Sequence, residues 1–352
     1  MTLKQALLAR IARTGPITVA EYMTECLLHP DFGYYTNRDP FGVAGDFVTA
    51  PEISQMFGEL IGLSLAQAWM NQGKQAPFTL AELGPGRGTL MADALRATRH
   101  IPGFHEAAKI VLVEVSSHLR GIQRETLADF DVTWIAQTTA LPDQHLYLIA
   151  NEFFDALPIR QFVRDQDLWR ERHIGKDGDR LVFGFGPAQP QPALGHRLED
   201  TKSGDLIEFS PALAPTLDTV GERIVAHGGA GLIIDYGDWG SLGDTLQAVM
   251  ANERCDPLEA PGASDLSAHV DFEALALATP SRYSRVTPQG VFLDRLGITE
   301  RANQLARSGS SAQVNDIVAA HRRLTHPDEM GNLFKVIGLY PDGQTPPPGL
   351  DA

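Results

Sequence analysis

The stretch that most narrows what this chain can fold into is FTLAELGPGRGTLMADALR, Phe78 to Arg96. A short apolar run carries one acid near its end, glycines follow at the alternate positions 84, 86 and 88, and a helix-patterned run begins at Thr89. Glycine allows the positive φ of a tight strand-to-helix turn and lets a ligand approach the backbone where a Cβ would stand. The helix behind such a turn presents unpaired N–H groups to an anion. The same rhythm returns along the chain in FTLAEL, KIVLVEV, VTWIA, LYLIANE and AGLIIDYG, with helical stretches at Thr89 to Arg99 and Ser116 to Leu127 between several of them. Short, nearly continuous apolar runs suit parallel strands buried on both faces. The expected fold class is therefore α/β, a doubly wound, mostly parallel sheet.

Other segments decorate that core. Residues 1–75 read as a helical N-terminal extension, with a first helix whose one face is set out by Leu3, Ala6, Leu7, Arg10 and Ile11 and an apolar helix from Ser54 to Trp69. These flank a glycine- and aromatic-rich active-site loop, and the alternative reading of the first residues as a transit peptide rests on Lys4, Arg10 and Arg13 standing there without an acid. Residues 76–152 form the ligand-binding half of the core. Between LYLIANE and AGLIIDYG the connection is far longer than an α/β unit needs; residues 153–229 are read as a β-rich insertion, IRQFVRD, LWRERHI and RLVFGF making an antiparallel meander and PAQPQPALG a surface linker. Residues 230–340 complete the core, with a helix entered through His269 and Val270, and 341–352 are expected to be disordered.

Charge and composition remove several functions. The formal net charge of -15 argues against a nucleic-acid or anionic-lipid partner and fits a cationic substrate. Only two cysteines occur, Cys26 and Cys255, neither in a metal-like spacing, so no disulfide framework and no metal site are expected. No run approaches the ~18 apolar residues of a membrane span.

The glycine turn fits neither common nucleotide motif. Counted from Gly84, the last position of a nicotinamide fingerprint falls on Thr89, and no Gly-Lys-Ser/Thr follows for a phosphate loop. What remains, Glu82 to Gly88, resembles the first motif of class I S-adenosylmethionine-dependent methyltransferases. That cofactor has no phosphate; it carries a carboxylate for the helix N-terminus, cationic groups for an acid such as Glu82, and a ribose diol for Glu114 at the end of the next strand. The expected cofactor contacts are Glu82, Gly84, Gly86, Gly88, Thr89 and Glu114, against the plainer reading of a structural βα turn.

Over most of the chain, from Leu8 to Leu339, the sequence resembles the MidA family of methyltransferases, through HPDFGYY, GDFVTAPEISQMFGEL, ELGPGRGTLMAD, NEFFDALPIRQF, IIDYG and DLSAHVDF. The resemblance implies a class I methyltransferase sheet, S-adenosyl-L-methionine as cofactor and, by way of a mitochondrial relative that assembles respiratory complex I, methylation of a protein arginine. Because the match starts near the first residue, a bacterial cytoplasmic member is expected. The oligomeric state is left open, a homodimer among the outcomes.

Acceptor chemistry belongs at the end of the fourth strand, ANEFFDALP. Asn151, Glu152 and Asp155 converge there, and two carboxylates suit a planar, permanently charged guanidinium. Asp46 and Glu52 are candidates to close over it, and His269 to take a proton. Phe32, Tyr34, Tyr35 and Phe153 could exclude water. Each has a structural alternative: acids favour helix starts, a histidine before a helix is commonly a cap, and aromatics are commonly core. Two other functions stay open, an assembly chaperone that binds the cofactor without turnover and a small-molecule methyltransferase.

Overall fold

The computed structural model describes residues 2–37, 49–251, 253–307 and 309–352. Two helices open the chain, α1 (Leu3–Thr14) and α2 (Val19–Leu28), each started by a threonine whose hydroxyl accepts from the backbone three residues on while a Gln or Glu side chain reaches back. After α3 (Gln55–Asn71) comes the core: β1 (Phe78–Leu83), α4 (Thr89–Thr98), β2 (Ala108–Val113), α5 (Ser117–Thr126), β3 (Val132–Ile135) and β4 (His145–Asn151). The insertion holds β5 (Arg160–Asp165), β6 (Leu168–Asp177), β7 (Arg180–Gln189) and β8 (Leu206–Phe209), followed by α6 (Leu213–His227) and β9 (Gly229–Asp238). The chain then runs through α7 (Phe272–Ala278), α8 (Gln289–Arg295), α9 (Ile298–Ala306) and α10 (Ser311–Thr325) to β10 (Phe334–Tyr340).

The core sheet has the order β3-β2-β1-β4-β9-β10, with Arg282–Tyr283 at its far edge. β1 to β4 and β9 pair in parallel, and β10 lies antiparallel to β9. The order in which successive strands are added reverses between β1 and β4, the switch point at whose carboxyl end an open α/β sheet forms its crevice. Period-two alternation divides the strands between two cores. Leu80, Leu112, Ile149, Leu232 and Ile234 face α3 and α4. Ala81, Val111, Leu148, Ala150 and Ile233 face α6 and α7. Burying one such leucine stabilises the fold by roughly 1.5–3 kcal/mol.

The expected insertion divides. β5 to β8 form a separate antiparallel sheet, onto which Ile17–Thr18 adds through β6. Leu3, Leu7, Ile11 and Val19 share one core with Ile174 and Leu181, so the N-terminal helices and the insertion cover each other. α6 belongs with the main sheet instead, through Leu217, Val220 and Ile224. The linker PAQPQPALG is only partly a surface segment: β7 runs on to Gln189, and Leu194 is buried with Phe162, Trp169 and Ile207.

Two expectations are corrected. The helix after DLSAHVDF starts at Phe272, capped by the Asp271 carboxylate rather than entered through His269 and Val270, because that side chain can accept from the N–H groups of Glu273 and Ala274. The last residues are not disordered throughout: 346–350 pack against the body of the fold, while 342–345 are exposed. Leu350 lies against the core, the hydroxyl of Ser64 donates to the Pro348 carbonyl at 2.9 Å, and the Arg285 N–H donates to the Asp351 carbonyl. A prolyl, polar composition reads as disorder only until a groove is present to receive it.

Candidate functional site

The three turn glycines adopt left-handed backbone, with φ of +58° at Gly84, +53° at Gly86 and +83° at Gly88. At Gly84 the requirement is double, since a Cβ there would stand 2.9 Å from the Phe153 ring. Gly88 caps α4 without any side-chain hydrogen bond; of the first-turn N–H groups, that of Met91 is taken by the Glu82 carboxylate, and those of Thr89 and Leu90 face the ligand side of the turn.

Two cavities meet at this turn. The larger, about 430 Å³, is bordered by Gly84, Gly86, Glu114, Glu152 and Phe153, by Gln137 to Thr139 after β3, and by Tyr35. The smaller, about 40 Å³, lies between Glu52, Glu82, Thr89, Asn151, Glu152 and the same glycines. Glu82 and Asn151 are both buried there, and Glu82 Oε2 and Asn151 Oδ1 have no hydrogen-bond partner. Two orphaned acceptors in one polar niche want a donor, and an ammonium group has three. Burial pushes the Glu82 carboxyl up to about 8, the Met91 N–H of α4 opposing it; a cation would restore its charge. These residues fit the amino-acid end of S-adenosylmethionine.

At the other end, Glu114 Oε1 accepts the Ser116 N–H at 2.8 Å and Oε2 accepts from Gln123 Nε2 at 3.2 Å. Each oxygen keeps a lone pair for a hydroxyl. Burial raises the Glu114 carboxyl, and those two donors hold it back. Gln123 Nε2 also donates to the Gly86 carbonyl at 2.7 Å, and Gln123 Oε1 accepts from the Trp134 indole at 2.8 Å. The Ser116 hydroxyl donates to the Tyr35 carbonyl at 2.8 Å, tying the N-terminal extension to this wall.

The acceptor side is a cluster of acids. Glu152 borders both cavities, with φ of +50°, an uncommon conformation for a non-glycine residue and one associated with functional sites. Its Oε1 accepts from the Asn151 carboxamide at 3.2 Å and the Ala50 N–H at 3.3 Å. Burial and the neighbouring Asp155 push its carboxyl up to about 7. Asp155 is buried beside it and raised by burial, but it borders neither cavity. The pair thus lies close together, with Glu152 alone opening on the cavities.

The remaining expectations separate. Thr89 sits at the smaller cavity, donating to Glu52 Oε1 at 2.6 Å. Asp46 lies outside the described residues. His269 borders neither cavity; its half-buried ring stacks edge-on against Tyr236 at 5.4 Å, its backbone N–H donates to the Thr245 hydroxyl, and burial lowers the pKa of the imidazole. Tyr34 is wholly buried in the N-terminal core, whereas Tyr35 and Phe153 border the larger cavity.

Three groups escaped the sequence reading. Gln123 had a signal: it lies one turn after Leu119 on the buried stripe of α5, where a polar residue needs a reason. Asp235 had one too, as an acid inside the apolar run of β9. Gln137 to Thr139 had none, because only the sheet order brings the end of β3 to the cavity.

Three comparisons bear on this geometry. A family described as "Putative S-adenosyl-L-methionine-dependent methyltransferase" matches residues 60–290. The mitochondrial protein arginine methyltransferase NDUFAF7 of Mus musculus is 36% identical, over 95% of this chain and 83% of the relative. Its Homo sapiens counterpart is 35% identical, over 95% and 82%. A Burkholderia thailandensis protein crystallised with S-adenosyl-homocysteine superposes with a TM-score of 0.84 at 30% identity, covering 99% of this chain and 92% of that one.

Proposed function

Because this chain belongs to the MidA family of S-adenosyl-L-methionine-dependent methyltransferases, we propose that it methylates an arginine side chain of a protein substrate. The observation that carries the reading is the acid cluster at the end of β4. Glu152 opens on both cavities, Asp155 and Asp235 are buried beside it, and the charged neighbours that move Glu152 and Asp235 are the other acids of the cluster. Such a concentration of negative charge is costly unless a cation joins it. A guanidinium is the side chain that stays cationic at any working pH and pairs with carboxylates through directed N–H groups. The arginine activity in the relatives' names agrees.

When bound, S-adenosylmethionine supplies an electrophilic methyl group on a positively charged sulfur. Glu82 and Asn151 would hold its ammonium, the first turn of α4 its carboxylate, and Glu114 its ribose hydroxyls. Glu152 orients the acceptor nitrogen, and its raised carboxyl is matched to accept the proton which that nitrogen loses as it gains the methyl group. Phe153, packed over Gly84, keeps water from the junction of the two cavities. His269, behind Tyr236, is poorly placed for the proton. Among the described residues no helix is long and apolar enough to cross a membrane. A substrate belonging to a respiratory complex comes with the same proposal, through the resemblance to the mitochondrial assembly factor.

Labelled cofactor, the purified protein and an extract of cells lacking the gene provide the test, with mass spectrometry of whatever becomes labelled. Label on an arginine nitrogen is expected. Label on lysine, a carboxylate or a small molecule would overturn the arginine reading, and no label at all with intact cofactor binding would favour the chaperone.

A further inference from the structure

Asp235 is fully buried near the carboxyl end of β9, in a run that is otherwise apolar. Its Oδ2 accepts the N–H groups of Phe154 at 3.0 Å and Asp155 at 3.2 Å, and its Oδ1 accepts the N–H of Tyr236 at 2.9 Å. Those donors come from two different strand ends. β4 stops at Asn151, the Glu152 N–H makes one last bond to the Ile234 carbonyl at 2.9 Å, and the left-handed turn at Glu152 then takes the chain out of the sheet. Past that turn the next buried N–H groups have no strand partner, and leaving them unpaired would be costly. The Asp235 carboxylate takes their place.

We propose that Asp235 is a positioning residue for methyl transfer: by clamping the N–H groups of Phe154 and Asp155 it holds the Glu152 turn and aims the Glu152 carboxylate at the acceptor nitrogen. The inference rests on the arginine reading, in which Glu152 grips the guanidinium. A carboxylate does this where an apolar residue could not, and an amide does it incompletely, since it offers one acceptor oxygen to donors that approach from two sides. Burial, Asp155 and Glu152 all push the Asp235 carboxyl upward, a cost that the fold carries with three N–H donors set against it. Phe153, between Glu152 and the two clamped amides, lays its ring against Gly84 and borders the larger cavity.

The test compares Asp235→Asn with Glu152→Gln in three measurements: calorimetric affinity for S-adenosyl-homocysteine, labelled methyl incorporation into the extract at saturating cofactor, and hydrogen exchange of the Phe154 and Asp155 amides. Expected for Asp235→Asn are unchanged affinity, about tenfold or greater loss of kcat, and faster exchange of the two amides. A purely structural Asp235 would lower stability yet leave kcat per folded molecule unchanged, and that result overturns the proposal. If Glu152→Gln methylates normally, the arginine reading fails, and any kcat loss in Asp235→Asn then acts through some other group. If Asp235→Asn does not fold, the wild-type amides decide: exchange as fast as in exposed loops would show that no clamp exists.

Discussion

The carboxamide nitrogen of Gln123 stands 2.7 Å from the Gly86 carbonyl and 3.2 Å from Glu114 Oε2, so one side chain on α5 joins the glycine turn to the acid of the next strand. Gln123 is fully buried, and the Trp134 indole fixes which end of its amide is the donor. Removing it frees both ends of the larger cavity at once. Gln123→Ala should weaken S-adenosyl-homocysteine binding by about 1–3 kcal/mol, roughly five- to 150-fold in Kd. Calorimetry reads this directly, and wild-type affinity in a folded variant would mean that the two walls hold their places without it.

The turn itself should be less forgiving. Gly86→Val puts a β-branched residue at a φ of +53°, strained by about 1–2 kcal/mol or more before any ligand arrives. Glu114→Ala removes the proposed ribose acceptor and takes an acceptor from the Ser116 N–H and from Gln123 Nε2, which keeps its bond to the Gly86 carbonyl, with an expected loss of about 1–3 kcal/mol in cofactor binding. Unchanged affinity in both variants would contradict the placement of the cofactor at this turn.

Glu152→Gln separates binding from chemistry. The amide keeps the size and one acceptor oxygen but loses the charge, so cofactor affinity should hold while turnover falls by roughly tenfold to more than a hundredfold, the worth of one charge-assisted bond of about 1.5–3 kcal/mol. Since burial and Asp155 push the Glu152 carboxyl up to about 7, only its ionised form can grip a guanidinium. kcat/KM should therefore rise as pH increases through about 7 and level off above it, and a profile flat from pH 6 to 8 would speak against Glu152 as the gripping acid.

Stability should carry the mark of Glu82. Its carboxyl is pushed from an ordinary 4.5 up to about 8 by burial, so between those values the folded protein holds a proton that the unfolded chain releases. That contribution is complete below about pH 4.5 and is lost as pH rises toward 8. Glu82→Gln should flatten the fall of Tm between pH 6 and 8, and bound S-adenosyl-homocysteine, whose ammonium compensates the charge, should flatten it as well. Calorimetric scans at pH 6, 7 and 8 check both, and an unchanged slope in the variant would refute the burial argument.

The packed C-terminus gives a prediction of a different kind. Removal of residues 341–352 strips the Leu350 contact from the core and the Pro348 carbonyl from Ser64. The expected cost is about 2–4 kcal/mol, visible as a Tm lower by several degrees. A truncated chain as stable as the full one would show that these residues merely rest on the surface.

The sequence by itself determined the sheet, the glycine turn and the two acids at the ends of β1 and β2. Those features are local: buried parallel strands announce themselves as short apolar runs, positive φ asks for glycine, and a polar residue closing such a run points to the crevice. Asn151 and Glu152 were legible for the same reason. Only the tertiary structure decided which groups share a cavity. Asp155 follows Glu152 by three residues, yet it borders neither cavity, and neither does His269, packed edge-on against Tyr236. Gln123 and Asp235 matter through partners 37 and 81 residues away in the chain, a separation that no window of sequence spans. The tail was misread because its composition describes how it behaves in water, and the groove formed by Ser64, Gly338 and Phe292 that receives it exists only once the sheet and its helices have closed.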